Sequence, residues 1–168
     1  WNQWMEWRAR EFCTVDDWHL MGAVKQLNIA SVGCAGSGKT HDWSVFALAW
    51  WLADPTNSAV ALCSIQKNMI RQRCWAQIQE CYNALPVNAR PGNMVDSQTK
   101  LQSRKGDDKH SVFAQAVEGG EAHKAKQRIA GLHVPRIMLV IHEAPGTPEG
   151  VFEAITNLTS GCSELVIA

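Results

Sequence analysis

The chain has 168 residues, 46% of them hydrophobic, and its 16 basic and 16 acidic side chains balance to a formal charge of zero. That length fits one domain with at most a small second lobe, and the composition is that of an ordinary globular core. Zero net charge argues against a dedicated electrostatic clamp for nucleic acid, although a local basic patch is compatible with a neutral total.

The longest apolar run, Val45 to Ala53, is too short to cross a bilayer as a helix, which takes roughly 20 residues. No basic-then-apolar signal peptide opens the chain, so no membrane partner is expected. Trp1 stands where Met would begin a gene product, which implies trimming or a fragment. Cys13, Cys34, Cys63, Cys74, Cys81 and Cys162 form no Cys-x-x-Cys pair and have no histidine at zinc-site spacing, so they read as reduced thiols in a reducing compartment.

Trp1, Trp4 and Trp7 recur at helical spacing, and residues 1–24 read as an N-terminal helical segment whose aromatic stripe suits packing better than base stacking. Leu27 to Val32 is a short buried strand. Lys39 to Ala53 is a helix, apolar nearly all round and therefore expected to be largely buried, ended by Asp54-Pro55. Ala59 to Cys63 is a second apolar strand. Gln66 to Leu85 is a long helix with Met69, Ile70, Cys74, Trp75, Ile78 and Tyr82 on its apolar side, followed by a loop from Pro86 to Asn93. Lys100 to Ser103 and Val112 to Val117 are strands around the polar tip Lys105-Gly106-Asp107-Asp108, taken as a solvated loop tip. Glu118 to Ala125 reads as a polar, glycine-bearing loop. Arg136 to Ile141 is the most apolar strand. Thr147 as N-cap and Pro148 at the first helical position open a helix to about Leu158. Glu164 to Ala168 begins another strand. Strands alternating with helices predict an α/β fold with a mainly parallel sheet flanked by helices, and ligands in such sheets bind at the carboxyl ends of the strands.

Gly33-Cys34-Ala35-Gly36-Ser37-Gly38-Lys39-Thr40 fits G-x-x-x-x-G-K-[ST] at every fixed position, between a predicted strand and a predicted helix. Each position has a chemical reason. Glycines let backbone N–H groups converge on an anion, and the following helix presents its N-terminal N–H groups and dipole to phosphate. Lys39 supplies a point charge for the outer phosphates of ATP, and the Thr40 hydroxyl is an oxygen ligand for Mg²⁺. The strand from Arg136 ends in His142-Glu143, which puts Glu143 where a base that polarises water belongs. His142 stands where an aspartate is expected. Three explanations remain open: weak or absent hydrolysis, a metal held adequately by Thr40 and water, or a chance single-base variant.

The order of these segments resembles the ATPase domain of a tailed-bacteriophage terminase large subunit. The resemblance covers roughly residues 25–168. It rests on the phosphate loop, the segment Ala49-Trp50-Trp51-Leu52-Ala53-Asp54-Pro55, Arg71-Gln72-Arg73-Cys74-Trp75, Gln127-Arg128-Ile129-Ala130-Gly131-Leu132-His133, and Glu143-Ala144-Pro145-Gly146-Thr147-Pro148-Glu149. It implies a three-layer P-loop NTPase of the RecA-like (ASCE) type. The implied activity is ATP hydrolysis with Mg²⁺, powering translocation of double-stranded DNA into a procapsid. The implied partners are a portal and a small terminase subunit, with the full-length protein in a homo-oligomeric ring in the cytoplasm of an infected bacterium. Residues 33–40 would bind the triphosphate, Lys39 and Glu143 would be catalytic, and Thr40 would hold the metal, with His142 at the expected aspartate position. The phosphate loop lacks the basic residue that family members often carry, which makes Arg128 a candidate trigger arginine. The ATPase core is expected to be incomplete at its C-terminal end, with no nuclease domain. Basic residues at 71, 73, 100, 104, 105, 109, 124, 126 and 128 are candidate DNA contacts, each weighed against a plain solvated surface. The alternatives are a nucleotide-binding or assembly module with little turnover, and a helicase-like P-loop ATPase.

Overall fold

The computed structural model describes residues 26–32, 36–117, 122–158 and 161–168. The N-terminal segment 1–24, with its tryptophan stripe, and residues 33–35 of the glycine-rich loop lie outside them.

Seven strands form one sheet: β1 (Gln26–Asn28), β2 (Ser58–Ser64), β3 (Asn93–Val95), β4 (Lys100–Gln102), β5 (Ser111–Ala116), β6 (Arg136–His142) and β7 (Glu164–Ile167), in the order β1-β7-β6-β2-β5-β4-β3. The five strands from β1 to β5 are parallel, and β4 and β3 extend the sheet antiparallel beyond β5. The centre is the β2–β6 pair, in register from Ser58 opposite Arg136 to Ser64 opposite His142. Both strands are apolar through most of their length because both faces of the sheet are covered.

Strand alternation sorts the side chains between two cores. Ala59, Ala61, Cys63, Phe113, Ile137, Leu139 and Leu165 face α3 (Ala122–Ala130) and α4 (Glu149–Leu158), meeting Ala125, Ile129, Val151, Ala154, Ile155 and Leu158. Val60, Leu62, Val112, Met138, Val140 and Val166 face the other way. There they pack with Ala47, Leu48 and Trp51 of α1 (Lys39–Ala53) and with Ile70, Trp75, Ile78 and Tyr82 of the second helical run. That run is helical from Lys67 to Ala84 but contains a π-helical stretch, Ile70–Trp75, before α2 (Ala76–Ala84). Helices on both faces of a mainly parallel sheet match the predicted α/β architecture. Among the described residues no helix is long and apolar enough to cross a membrane.

Several local expectations are corrected. Residues 122–125 belong to a helix, not a loop, because Ala125 and Ile129 form a buried stripe against the sheet. β3 lies at the end of the expected Pro86–Asn93 loop and pairs with β4. α1 buries one face, Ser44, Ala47, Leu48 and Trp51, and leaves Trp43, Phe46 and Trp50 only half-buried. The Thr147 hydroxyl is buried without a hydrogen-bond partner, so it does not cap α4, which begins at Glu149. The hairpin tip is not simply solvated. Asp107 accepts hydrogen bonds from Ser103 Oγ and from the Lys109 and His110 backbone N–H groups, and its carboxylate meets His110 Nδ1 at 2.9 Å. Lys100 is buried and donates to Asp108 at 2.6 Å, which removes it from the candidate DNA contacts.

At the amino-terminal edge Arg136 ties three elements together. It donates to Glu164 at 2.8 Å and to Ser58 Oγ at 2.9 Å, and its guanidinium lies 4.2 Å from the Trp50 ring centre. Trp50 Nε1 in turn donates to Glu164 at 3.0 Å.

Candidate phosphate site

The site lies at the carboxyl edge of the sheet. β7 and β6 lie between β1 and β2, so the chain leaving β1 crosses over both to reach β2. It does so through the glycine-rich loop and α1, which packs across β2 and β6. Gly36 (φ 76°) and Gly38 (φ 85°) occupy left-handed backbone conformations that side-chain-bearing residues rarely adopt, which accounts for glycine at both. Gly38 is the N-cap of α1, and its carbonyl accepts the first helical hydrogen bond, from Asp42 N–H at 3.0 Å.

Lys39 and Thr40 therefore open α1. Lys39 Nζ donates to Ser37 Oγ at 3.1 Å, so the ammonium folds back over its own loop. Thr40 Oγ1 reaches across to His142 Nε2, 3.0 Å away, at the last position of β6. The two sequence motifs, separated by about a hundred residues, are thus joined by a side-chain hydrogen bond. Ser44 Oγ donates to the Thr40 carbonyl at 2.7 Å, which fixes the first turns of the helix behind the loop.

His142 is half-buried. Burial holds its imidazole below the usual histidine range, opposed by the neighbouring Glu143 carboxylate and reinforced by the charges of Arg73 and Lys39. Its Nδ1 is buried without a protein partner. Ser64, its register partner on β2, lies on the same face of the sheet and also carries a buried hydroxyl without a partner.

Glu143 follows in a left-handed conformation, φ 62° and ψ 52°. The turn throws its side chain out of the sheet and into solvent, where Arg73 Nη1 approaches Oε1 at 3.6 Å. Arg73 comes from the π-helical stretch, a local widening of the helix that recurs at functional sites. Neither the Arg73–Glu143 contact nor the Thr40–His142 bond was expected from the sequence. The signal for the first was Arg73 in the segment following β2, whose end neighbours that of β6.

Arg128 sits elsewhere. Its guanidinium lies 4.1 Å from the centre of the Phe113 ring and it donates to Gln115 Oε1 at 3.3 Å. Phe113 belongs to the core on the face opposite α1, so the structure gives Arg128 a partner away from Lys39 and Thr40. Of the predicted site residues, Gly36 to Thr40, His142 and Glu143 gather at one edge, Arg128 stands apart, and Gly33, Cys34 and Ala35 lie outside the described residues.

This arrangement offers a cation, a hydroxyl, a ring nitrogen and an exposed carboxylate around the N-terminus of a helix that buries one face. Its chemistry suits an anion at the helix end and a polarised water beside Glu143. No protein-family model and no curated protein matches this sequence.

Proposed function

We propose that the chain is a P-loop ATP-binding domain that hydrolyses ATP as part of a viral DNA-packaging motor of the terminase large-subunit type. The observation that carries the nucleotide reading is the 3.0 Å contact between Thr40 at the head of α1 and His142 at the end of β6. It joins the phosphate-loop motif to the strand that precedes the candidate base. The positive-φ glycines before α1 and the position of Lys39 support the same reading.

In this account the backbone N–H groups of residues 36–40 and the α1 dipole bind the triphosphate. Lys39 leaves Ser37 to neutralise the outer phosphates, and Glu143 accepts a proton from the attacking water once Arg73 no longer holds it. Hydrolysis under positioned charges of this kind needs little covalent chemistry from the protein. The terminase family implies Mg²⁺ beside Thr40. The Thr40 oxygen suits that ion, but the imidazole of His142 does not, because Mg²⁺ prefers oxygen ligands.

Double-stranded DNA, a portal, a small terminase subunit and a ring of copies are the partners this function carries with it. Arg71, Arg104, Lys105 and Lys109 are exposed and remain candidates for DNA phosphates. A second reading, a nucleotide-binding module with little turnover, is favoured by His142 alone. Phosphate release by the parent and by His142→Asp, with and without duplex DNA, separates the two. DNA-stimulated release by the parent supports the motor. Binding without release, restored by aspartate, supports the binding module.

A further inference from the structure

The donor atoms at the end of β6 are a hydroxyl oxygen and an imidazole nitrogen, not the two oxygens a magnesium site would use. Thr40 Oγ1 and His142 Nε2 stand 3.0 Å apart. Two ligands at right angles on an octahedral ion with bonds of about 2.1 Å lie about 3.0 Å from each other. A cation taking both atoms therefore needs almost no movement of α1 against β6, only the exchange of their mutual hydrogen bond for two metal bonds.

Taking the nucleotide-site reading as its basis, we propose that the cation bound with the nucleotide is a nitrogen-accepting first-row transition ion such as Mn²⁺ or Co²⁺, held by Thr40 Oγ1 and His142 Nε2. Phosphate oxygens and water complete its shell. Imidazole nitrogen binds such ions well, with affinity rising from Mn²⁺ towards Co²⁺ and Ni²⁺, whereas Mg²⁺ takes oxygen.

The surroundings of His142 fit this use. Coordination through Nε2 leaves the ring proton on Nδ1, and a metal-bound histidine usually has that second nitrogen held by a polar group. His142 Nδ1 is buried with no protein partner. On the same face of the sheet, its register partner Ser64 carries a buried hydroxyl that is also without one. A pair of buried polar groups on adjacent strand ends is suited to share one bridging water. The same two orphans are unfavourable for a histidine that only fills space.

The experiment is ATP binding by calorimetry on the full chain with Mg²⁺, Mn²⁺, Co²⁺ or EDTA. Beside it runs electron paramagnetic resonance of the Mn²⁺–ATP complex, read for nitrogen coupling. We expect ATP to bind at least tenfold more tightly with Co²⁺ or Mn²⁺ than with Mg²⁺, and the Mn²⁺ signal to show a directly bound nitrogen. In His142→Asp the nitrogen coupling disappears and the preference shifts to Mg²⁺. Equal affinity with all three cations, or a Mn²⁺ signal without nitrogen coupling, overturns the cation assignment while leaving the nucleotide site standing. No ATP binding under any condition, EDTA included, overturns both. The parent's nitrogen signal decides the matter even if the aspartate variant does not fold.

Discussion

Arg73 Nη1 stands 3.6 Å from Glu143 Oε1, and both side chains are about half exposed. An ion pair so open to water contributes well under 1 kcal/mol to folding. Its partner is nevertheless the candidate base, held in a left-handed turn that costs a non-glycine residue roughly 1 kcal/mol or more. The chain thus keeps a strained glutamate with only a weak tether. Such strain is common where a side chain must be aimed. Glu143→Gly is expected to raise stability by about 1 kcal/mol, since glycine accepts this conformation freely, and to abolish phosphate release. Chemical denaturation and a turnover assay on the same variant check both halves. A destabilised variant contradicts the strain account.

Arg128 and the phosphate site are predicted to be independent. Arg128→Ala removes the guanidinium from the Phe113 ring and should cost about 1 kcal/mol of stability. ATP affinity and turnover should stay within a factor of two or so of the parent, because the contacts of Arg128 are with Phe113 and Gln115. A large fall in turnover with unchanged stability would support Arg128 as the trigger arginine.

His142 predicts a pH dependence of folding. Its pKa is held down in the folded chain, first by burial and then by Arg73 and Lys39. A histidine depressed in this way binds fewer protons folded than unfolded. Its contribution is therefore complete above the unfolded value of about 6.5 and is lost as the pH falls below that towards the folded value. The stability of the parent relative to His142→Gln should fall as the pH is lowered from 7.5 through 6. A constant difference across that range contradicts the burial of the imidazole.

Gly92 tests the edge of the sheet. It has φ 88°, and a Cβ there would run into the carbonyl of Gln102 and crowd the Trp51 ring. Backbone cannot swing aside as a flexible side chain can, so Gly92→Ala should cost roughly 2 kcal/mol or more. Thermal denaturation measures it. A neutral result would mean that β3 and β4 are not paired as described.

The central strands and α1 were legible because each carries a strong, simple signal. Ser58–Ser64 and Arg136–His142 are apolar on both faces, and Asp54-Pro55 stops α1 where expected. α3 was hidden by its polar surface. Its buried positions Ala125 and Ile129, with Leu132 after it, keep a helical stripe, but His123, Lys124, Gln127 and the glycines before it outweigh that stripe in a linear reading. β3 is three residues long, and its strand character comes from pairing with β4, which no local pattern encodes. In the site, the motif residues could be named one by one. Their relations could not, because Thr40 meets His142 only through the crossover that puts β7 and β6 between β1 and β2. The π-helical stretch that presents Arg73 also escapes periodicity, since Ile70, Cys74, Trp75 and Ile78 fit an ordinary helix equally well.

The most direct test of the account is ATP binding by calorimetry to the parent and to Lys39→Ala, with folding of both checked by circular dichroism. The phosphate-site reading predicts that the parent binds and that the folded variant loses at least tenfold in affinity, because in that reading Lys39 supplies a positive charge to the outer phosphates. Equal affinity in the two proteins, or no binding by a folded parent, would contradict the claim that residues 33–40 grip a triphosphate.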